Sequence, residues 1–209
     1  MWITLGKSAI VFSRSSIDAG ERLHKQYRGE TFANLSVDER SLHHTHVDIL
    51  RRMQRGAPQA GCSMDDIIRY GGHACSLRVG ECFEYCAVVC CYLDKIREGQ
   101  EALPLSLAVI PSPYFHYFVV IGDEPIQGGF YPNNFTEWNA GTVVVDPWMG
   151  ICCSARDYPR EWFTMLTLQA HMELEMQVHH RHGPSTWEAA NNAYFLNMIT
   201  EQRKLQYTL

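Results

Sequence analysis

The stretch that decides the fold runs from Arg78 to Ala87 and reads RVGECFEYCA. Gly80 marks a turn, and the pattern predicts a helix that begins at Cys82 and ends near Glu98. The apolar residues of this helix fall on overlapping positions of one face: Phe83, Ala87, Cys90, Leu93 and Ile96. We therefore expect it to be the central helix of the fold, with a cysteine in its first turn.

A thiol in the first turn of a helix is a candidate nucleophile. The partial positive charge and the free N–H groups of the helix N-terminus favour the thiolate. The N–H groups near Cys82 and Phe83 also point to where an oxyanion would form, an effect of roughly 3 kcal/mol per donor in studied enzymes. The alternative is packing, because Cys82, Cys86 and Cys90 recur every four residues as one stripe.

Three strands are predicted after this helix, because β-branched and aromatic residues replace the helical pattern. They cover residues 105–110, 117–121 and 142–145, with a long Gly/Pro/Asn-rich loop over 122–141. His116 lies at the mouth of the second strand, where an imidazole can face a cleft. Asp146 closes the third strand before Pro147, and a carboxylate after three buried valines needs a partner.

Each of these two residues also has a plain explanation. His116 alone fits a core histidine on an aromatic-rich strand. Asp146 alone fits a turn residue that ends a strand before proline. The order Cys82, His116, Asp146 on a helix and two strand ends nevertheless predicts a nucleophile, a base and an orienting acid.

Helices are predicted on both sides of this core. A capping box over 36–39 opens one helix, and Ser63 to Asp66 opens a short one that continues through Tyr70 and ends at Gly71 and Gly72. Further helical patterns begin near Arg160 and at residue 185. We expect one α+β catalytic domain over 1–209: a helical N-terminal extension (1–60), the Cys-His-Asp core (72–150) and C-terminal helices (155–209).

Composition excludes several classes of protein. The 209 residues are 46% hydrophobic and 20% charged with a net charge of -5, and the basic residues are scattered. A nucleic-acid partner is not expected, because phosphate binding needs a concentrated basic face, and no apolar run is long enough to span a membrane. No general secretory signal precedes the core, so we expect synthesis in the cytoplasm. Residues 13–16 fit a loosely ordered leader or a plain surface loop.

The spacing of the cysteines and histidines bears on whether the chain has a disulfide framework or a metal site. The eight cysteines include no Cys-x-x-Cys pair, so neither a disulfide framework nor a cysteine zinc site is expected. The histidine clusters at 43–46 and 179–182 fit helix surfaces better than metal ligands. A Cys/His-rich zinc or interaction module remains the non-enzyme alternative.

The motifs around the three residues resemble a known superfamily. They are Gly-x-Cys-x-Glu-x-x-Ala from Gly80, His-x-Phe-Val-Val-Ile-Gly from His116 and Val-Val-Asp-Pro-Trp ending at Trp148. Over 80–148 the chain looks like the papain-like and transglutaminase-like cysteine enzymes, nearest to the bacterial toxin and effector branch of glutamine deamidases and host-directed cysteine proteases. The resemblance implies a papain-like core in which the Cys helix packs on an antiparallel sheet.

The resemblance also implies the chemistry. Cys82 would be the nucleophile, His116 the base and then acid, and Asp146 the orienting carboxylate, with no cofactor and no metal. The substrate would be a protein carboxamide, with glutamine deamidation favoured over proteolysis and transglutamination, and the enzyme would be delivered into a host or target cell by a specialised system. The glutamine that papain-like proteases place before the cysteine is absent, since Ser76, Leu77 and Arg78 stand there.

Overall fold

The computed structural model describes residues 1–17, 19–20, 37–58, 62–96, 103–110, 116–122, 135–162, 164 and 205–207. The described helices are α1 (Trp2–Ser16), α2 (Val37–Gln54), α3 (Met64–Leu77) and α4 (Cys82–Ile96). The described strands are β1 (Ala19–Gly20), β2 (Val79–Gly80), β3 (Leu105–Ile110), β4 (His116–Ile121), β5 (Val143–Asp146), β6 (Ile151–Ser154) and β7 (Leu205–Tyr207). Short 3-10 helices cover Phe135–Glu137 and Ala155–Asp157.

Five of these strands form an antiparallel sheet in the order β6-β5-β4-β3-β7. The register places Val119 opposite Val145 and Asp146 opposite Ile151. β1 and β2 form a separate parallel pair, so that Gly20 lies beside Gly80, just before α4. The predicted α+β class, with helices packed on an antiparallel sheet, is confirmed.

The sheet is covered on both faces. α1 and α4 pack together and against the sheet, and α1 comes so close that a Cβ on Gly6 would lie 2.7 Å from Val145 Cγ2. On the other face Tyr158 packs its ring against Phe118 at a centroid distance of 5.2 Å. The largest fully buried side chains include Trp138, Trp162, Tyr85, Tyr158 and Phe118.

Helix α4 begins at Cys82, as predicted, and is described as far as Ile96, close to the predicted end. Cys86 and Cys90 are fully buried among its apolar residues, whereas Cys82 is half-buried. The helix start is capped by Glu84, whose Oε2 accepts a hydrogen bond from the Glu81 N–H at 2.9 Å. This is the reciprocal half of a capping box.

Helix α3 corrects the predicted helix end at Gly71 and Gly72. Its predicted start is confirmed by the capping box between Ser63 and Asp66, but the helix runs through both glycines to Leu77. It ends at Arg78, which has left-handed φ and ψ of 57° and 29°. The physical reason is helix packing: a Cβ on Gly71 would lie 2.1 Å from the Ala87 carbonyl oxygen of α4.

The N-terminal residues form a helix, which corrects the expectation of a leader or surface loop at 13–16. Ser13 is buried in the last turns of α1 and donates a hydrogen bond to the Ile10 carbonyl. Ser36 of the predicted capping box lies outside the described residues, but α2 follows directly from Val37. Among the described residues no helix has the length and hydropathy needed to cross a membrane.

The three predicted strands are confirmed as β3, β4 and β5, and β6 was not predicted. Residues 158–162 and 164 are helical near the predicted start at Arg160, and the histidine cluster at 179–182 lies outside the described residues. β7 stands in the segment assigned to C-terminal helices. Of the predicted loop over 122–141, residues 123–134 also lie outside the described residues.

Candidate active site

The three predicted residues lie at the ends of their elements. Cys82 is the first residue of α4, His116 the first residue of β4, and Asp146 the last residue of β5. Because β4 and β5 are antiparallel neighbours, the start of one and the end of the other meet at the same end of the sheet. The fold therefore brings the imidazole and the carboxylate together, although 30 residues separate them in the chain.

The Asp146 carboxylate is hydrogen-bonded to three different groups. It is fully buried, and its Oδ2 lies 2.8 Å from His116 Nε2. The same oxygen accepts a hydrogen bond from the Tyr158 hydroxyl at 2.7 Å, and Oδ1 accepts one from the Met149 N–H at 3.0 Å. Three donors from three separate segments thus compensate the desolvation of this carboxylate.

His116 links Asp146 to Cys82. The Cys82 side chain is a hydrogen-bond partner of His116, and since Nε2 faces Asp146, Nδ1 is the nitrogen left for the sulfur. The imidazole is also buried between two indoles, with centroid distances of 5.4 Å to Trp148 and 5.2 Å to Trp162, both edge-on. These contacts restrict the ring to one orientation.

The electrostatics of the site favour a charged imidazole. Burial alone lowers the pKa of His116, but the charge and hydrogen bond of Asp146, with those of Cys82, outweigh burial and raise the pKa from 6.5 to about 10. Burial and the Asp146 charge raise the pKa of Tyr158 well above its ordinary value, so this hydroxyl stays protonated and donates. An imidazolium flanked by a carboxylate and a sulfur is the arrangement that stabilises a thiolate.

A second buried pair supports the start of helix α4. Glu84 is 1% exposed, and its Oε1 accepts a hydrogen bond from the Tyr70 hydroxyl at 2.8 Å. Its other oxygen takes the Glu81 N–H, and the first backbone bond within the helix runs from the Tyr85 N–H to the Glu81 carbonyl at 2.9 Å. The N–H groups of Cys82 and Phe83 precede that bond and are the candidate oxyanion donors.

Half-buried aromatic rings flank the site. Phe83 follows Cys82 on α4, and Tyr117 follows His116 on β4; their centroids are 5.0 Å apart in an edge-on contact. Tyr70 packs against the same Phe83 ring at 5.4 Å. The sequence neighbours of Cys82 and His116 are therefore also neighbours in space.

The other thiols differ from Cys82 in their surroundings. None of the eight cysteines forms a disulfide, and burial raises the pKa of six of them: Cys62, Cys75, Cys86, Cys90, Cys152 and Cys153. Within the described part of the chain no group of three or more His, Cys, Asp or Glu residues could hold a metal ion. The histidine cluster at 43–46 lies on α2.

Several residues of the site were not predicted from the sequence. Tyr158 and Trp162 reach Asp146 and His116 through tertiary contacts that no spacing signals, whereas the Met149 N–H bonds Asp146 within the turn that follows it. Glu84 did have a local signal, because a Glu three residues after the N-cap position, here Glu81, is the acceptor half of a capping box. Its bond to Tyr70 depends on the packing of α3 against α4.

Comparisons with known proteins add no relative. A scan against protein-family models and searches of curated proteins and of solved structures found no match for this chain.

Proposed function

We propose that this protein is a cysteine-dependent acyl-transfer enzyme that acts on carboxamide groups of protein substrates. The observation that carries the proposal is the hydrogen-bonded series Cys82, His116, Asp146, with the sulfur at a helix N-terminus and the carboxylate held by three donors. A series with these roles and this geometry is the feature by which a triad is recognised.

The proposed reaction has two halves, formation and hydrolysis of a thioester, and Cys82 and His116 act in both. The Cys82 thiolate attacks the carboxamide carbon, and the N–H groups of Cys82 and Phe83 stabilise the oxyanion. The tetrahedral intermediate collapses as His116 gives its proton to the leaving nitrogen, which departs as ammonia and leaves a thioester. His116 then takes a proton from water, the hydroxide attacks the thioester, and the products are a carboxylic acid and the regenerated thiolate.

Within this class we propose deamidation of a protein glutamine. The choice rests on the resemblance of the motifs at Gly80, His116 and Asp146 to effector deamidases, and the same resemblance underlies the proposal of delivery into a host or target cell. Proteolysis and transglutamination use the same thioester chemistry and differ in the bond attacked or in the acceptor. They are therefore distinguished by product and not by the triad.

Thiol labelling tests the nucleophile. At mildly acidic pH iodoacetamide should alkylate Cys82 ahead of the other seven cysteines, because the thiolate is paired with the His116 imidazolium. The matched comparison is Cys75, which is half-buried like Cys82 but whose pKa is raised by burial. Labelling spread evenly over the thiols would refute the proposed nucleophile.

Product analysis tests the reaction. A cell lysate is treated with the wild type, with Cys82→Ala, or with Cys75→Ala as the matched control, and peptides are read by mass spectrometry. We expect a gain of about 1 Da at particular glutamines, the mass change when an amide is hydrolysed through a thioester, with the wild type and Cys75→Ala only. New N-termini would indicate proteolysis and cross-links transglutamination. No Cys82-dependent change would contradict enzymatic activity on proteins.

A further inference from the structure

Arg14 connects the N-terminal helix to the turn that carries Asp146. It lies in the last turn of α1 and is half-buried. Its Nε donates a hydrogen bond to the Pro147 carbonyl at 2.9 Å, and its Nη2 donates one to the Trp148 carbonyl at 3.1 Å. One guanidinium thus holds two consecutive carbonyl groups directly after the proposed orienting acid.

The turn is shaped to receive this guanidinium. Gly150, the last residue before β6, has a φ of +78°, and a Cβ there would lie 2.6 Å from Nη1 and Nη2 of Arg14. Its N–H donates to the Asp146 carbonyl at 2.8 Å, which closes the turn. Glycine at this position therefore provides both the left-handed conformation and the space for the arginine.

The peptide unit between Trp148 and Met149 is held at both ends. Its carbonyl accepts the bond from Arg14, and its N–H donates to Asp146 Oδ1 at 3.0 Å. Because a peptide unit is planar, fixing the carbonyl direction also fixes the N–H direction. Hydrogen bonds in series polarise one another, so the cation at the carbonyl also strengthens the N–H as a donor.

We propose that Arg14 is a positioning residue for the triad: through the Trp148–Met149 peptide unit it sets the orientation of Asp146 and so the charge state of the His116–Cys82 pair. The proposal rests on the proposed function, since it concerns the same three residues. It also gives α1 a part in the proposed catalytic site through Arg14.

The test is the pH dependence of Cys82 alkylation by iodoacetamide in the whole protein, from pH 5 to pH 9. We compare the wild type with Arg14→Met, which keeps the apolar stem and removes the donors, and with Arg69→Met as a control for loss of an exposed arginine on α3. The titratable groups around His116 are Asp146, Cys82 and, beyond the carboxylate, Tyr158 and Cys86.

We expect Arg14→Met to move the acid limb of the Cys82 profile to higher pH by about one unit, so that alkylation on that limb is roughly tenfold slower at the same pH. The rate at pH 9 should change little, and Arg69→Met should match the wild type throughout. Arg14→Lys keeps the charge but not the planar fork of the guanidinium. The acid limb of its profile should therefore lie between those of the wild type and Arg14→Met. Arg14→Lys also serves as the test variant if Arg14→Met does not fold.

The two proposals fail in different ways. A wild type without preferential Cys82 labelling contradicts the proposed function. If the wild type labels as expected, and a folded Arg14→Met or Arg14→Lys variant with a lower unfolding midpoint keeps the wild-type pH profile, Arg14 serves stability only and the positioning role is wrong.

Discussion

Substitution of two adjacent glycines in α3 should have opposite effects on stability. Gly71 and Gly72 lie in the middle of the helix that packs against α4, the helix that begins at Cys82. An added Cβ on Gly71 would lie 2.1 Å from the Ala87 carbonyl oxygen and 2.9 Å from the Val88 nitrogen, whereas a Cβ on Gly72 meets nothing within 4 Å. We therefore compare Gly71→Ala with Gly72→Ala.

The magnitudes follow from what each methyl group meets. The atoms opposing Gly71 belong to the backbone, so relief requires the two helices to separate by about 1 Å, which a close-packed interior resists. We expect Gly71→Ala to lower the free energy of unfolding by about 3 kcal/mol, at the upper end for overpacking. Gly72→Ala should raise it by up to about 1 kcal/mol, because alanine favours the helix over glycine.

Urea unfolding followed by tryptophan fluorescence measures both effects, and thermal unfolding should show Gly71→Ala lowering Tm by about 6–12 °C. The two substitutions also distinguish a helix α3 that runs through Gly71 and Gly72 from one that ends there. If the two glycines ended the helix, as the sequence pattern predicts, one of them would need a positive φ and Gly72→Ala would cost stability. A Gly71→Ala protein as stable as the wild type, or a destabilised Gly72→Ala protein, would refute the close packing of α3 on α4.

Three further substitutions or conditions test the buried polar groups. Tyr158→Phe removes a donor from buried Asp146 and should cost about 1–3 kcal/mol in the free energy of unfolding, measured by urea titration. Tyr70→Phe should cost a similar amount, about 1–3 kcal/mol, because Glu84 stays buried with one donor fewer; an unchanged urea midpoint would contradict the buried bond. The pKa of His116 is about 10 when folded against 6.5 ordinarily, so its contribution to stability is complete below pH 6.5 and is lost as pH rises towards 10. Urea midpoints between pH 6 and pH 10 should fall for the wild type, and Asp146→Asn, which removes the partner charge, should flatten this decline.

The sequence predicts the elements around Cys82 well because their signals are local. A glycine-marked turn followed by an apolar helical face defines α4, and β-branched runs define β3, β4 and β5. The signals failed where tertiary packing reverses a local preference. Gly71 resembles a helix end but permits a helix crossing, and β6 is a four-residue strand that forms by pairing with β5 after the Asp146 turn.

The candidate site likewise contains residues that local sequence signals indicate and residues that only tertiary packing brings in. The residues proposed to carry the chemistry could be named from the sequence, because a thiol at a helix start and polar groups at strand ends are local features. The groups that hold them could not, since Tyr158 reaches Asp146 from the segment after β6 and Tyr70 reaches Glu84 from a different helix. These bonds depend on the crossing of elements, about which spacing along the chain carries no information.

The charge of His116, the partner of the proposed nucleophile, depends on contacts far from the Cys82 sulfur. Burial by itself lowers the pKa of His116 and so acts against an imidazolium. Asp146 reverses the effect of burial, but a carboxylate that is fully desolvated is itself costly unless its oxygens are bonded. Those bonds come from β4, from the turn held by Arg14 and from Tyr158, so weakening any of them should lower the pKa of His116 without displacing the Cys82 sulfur.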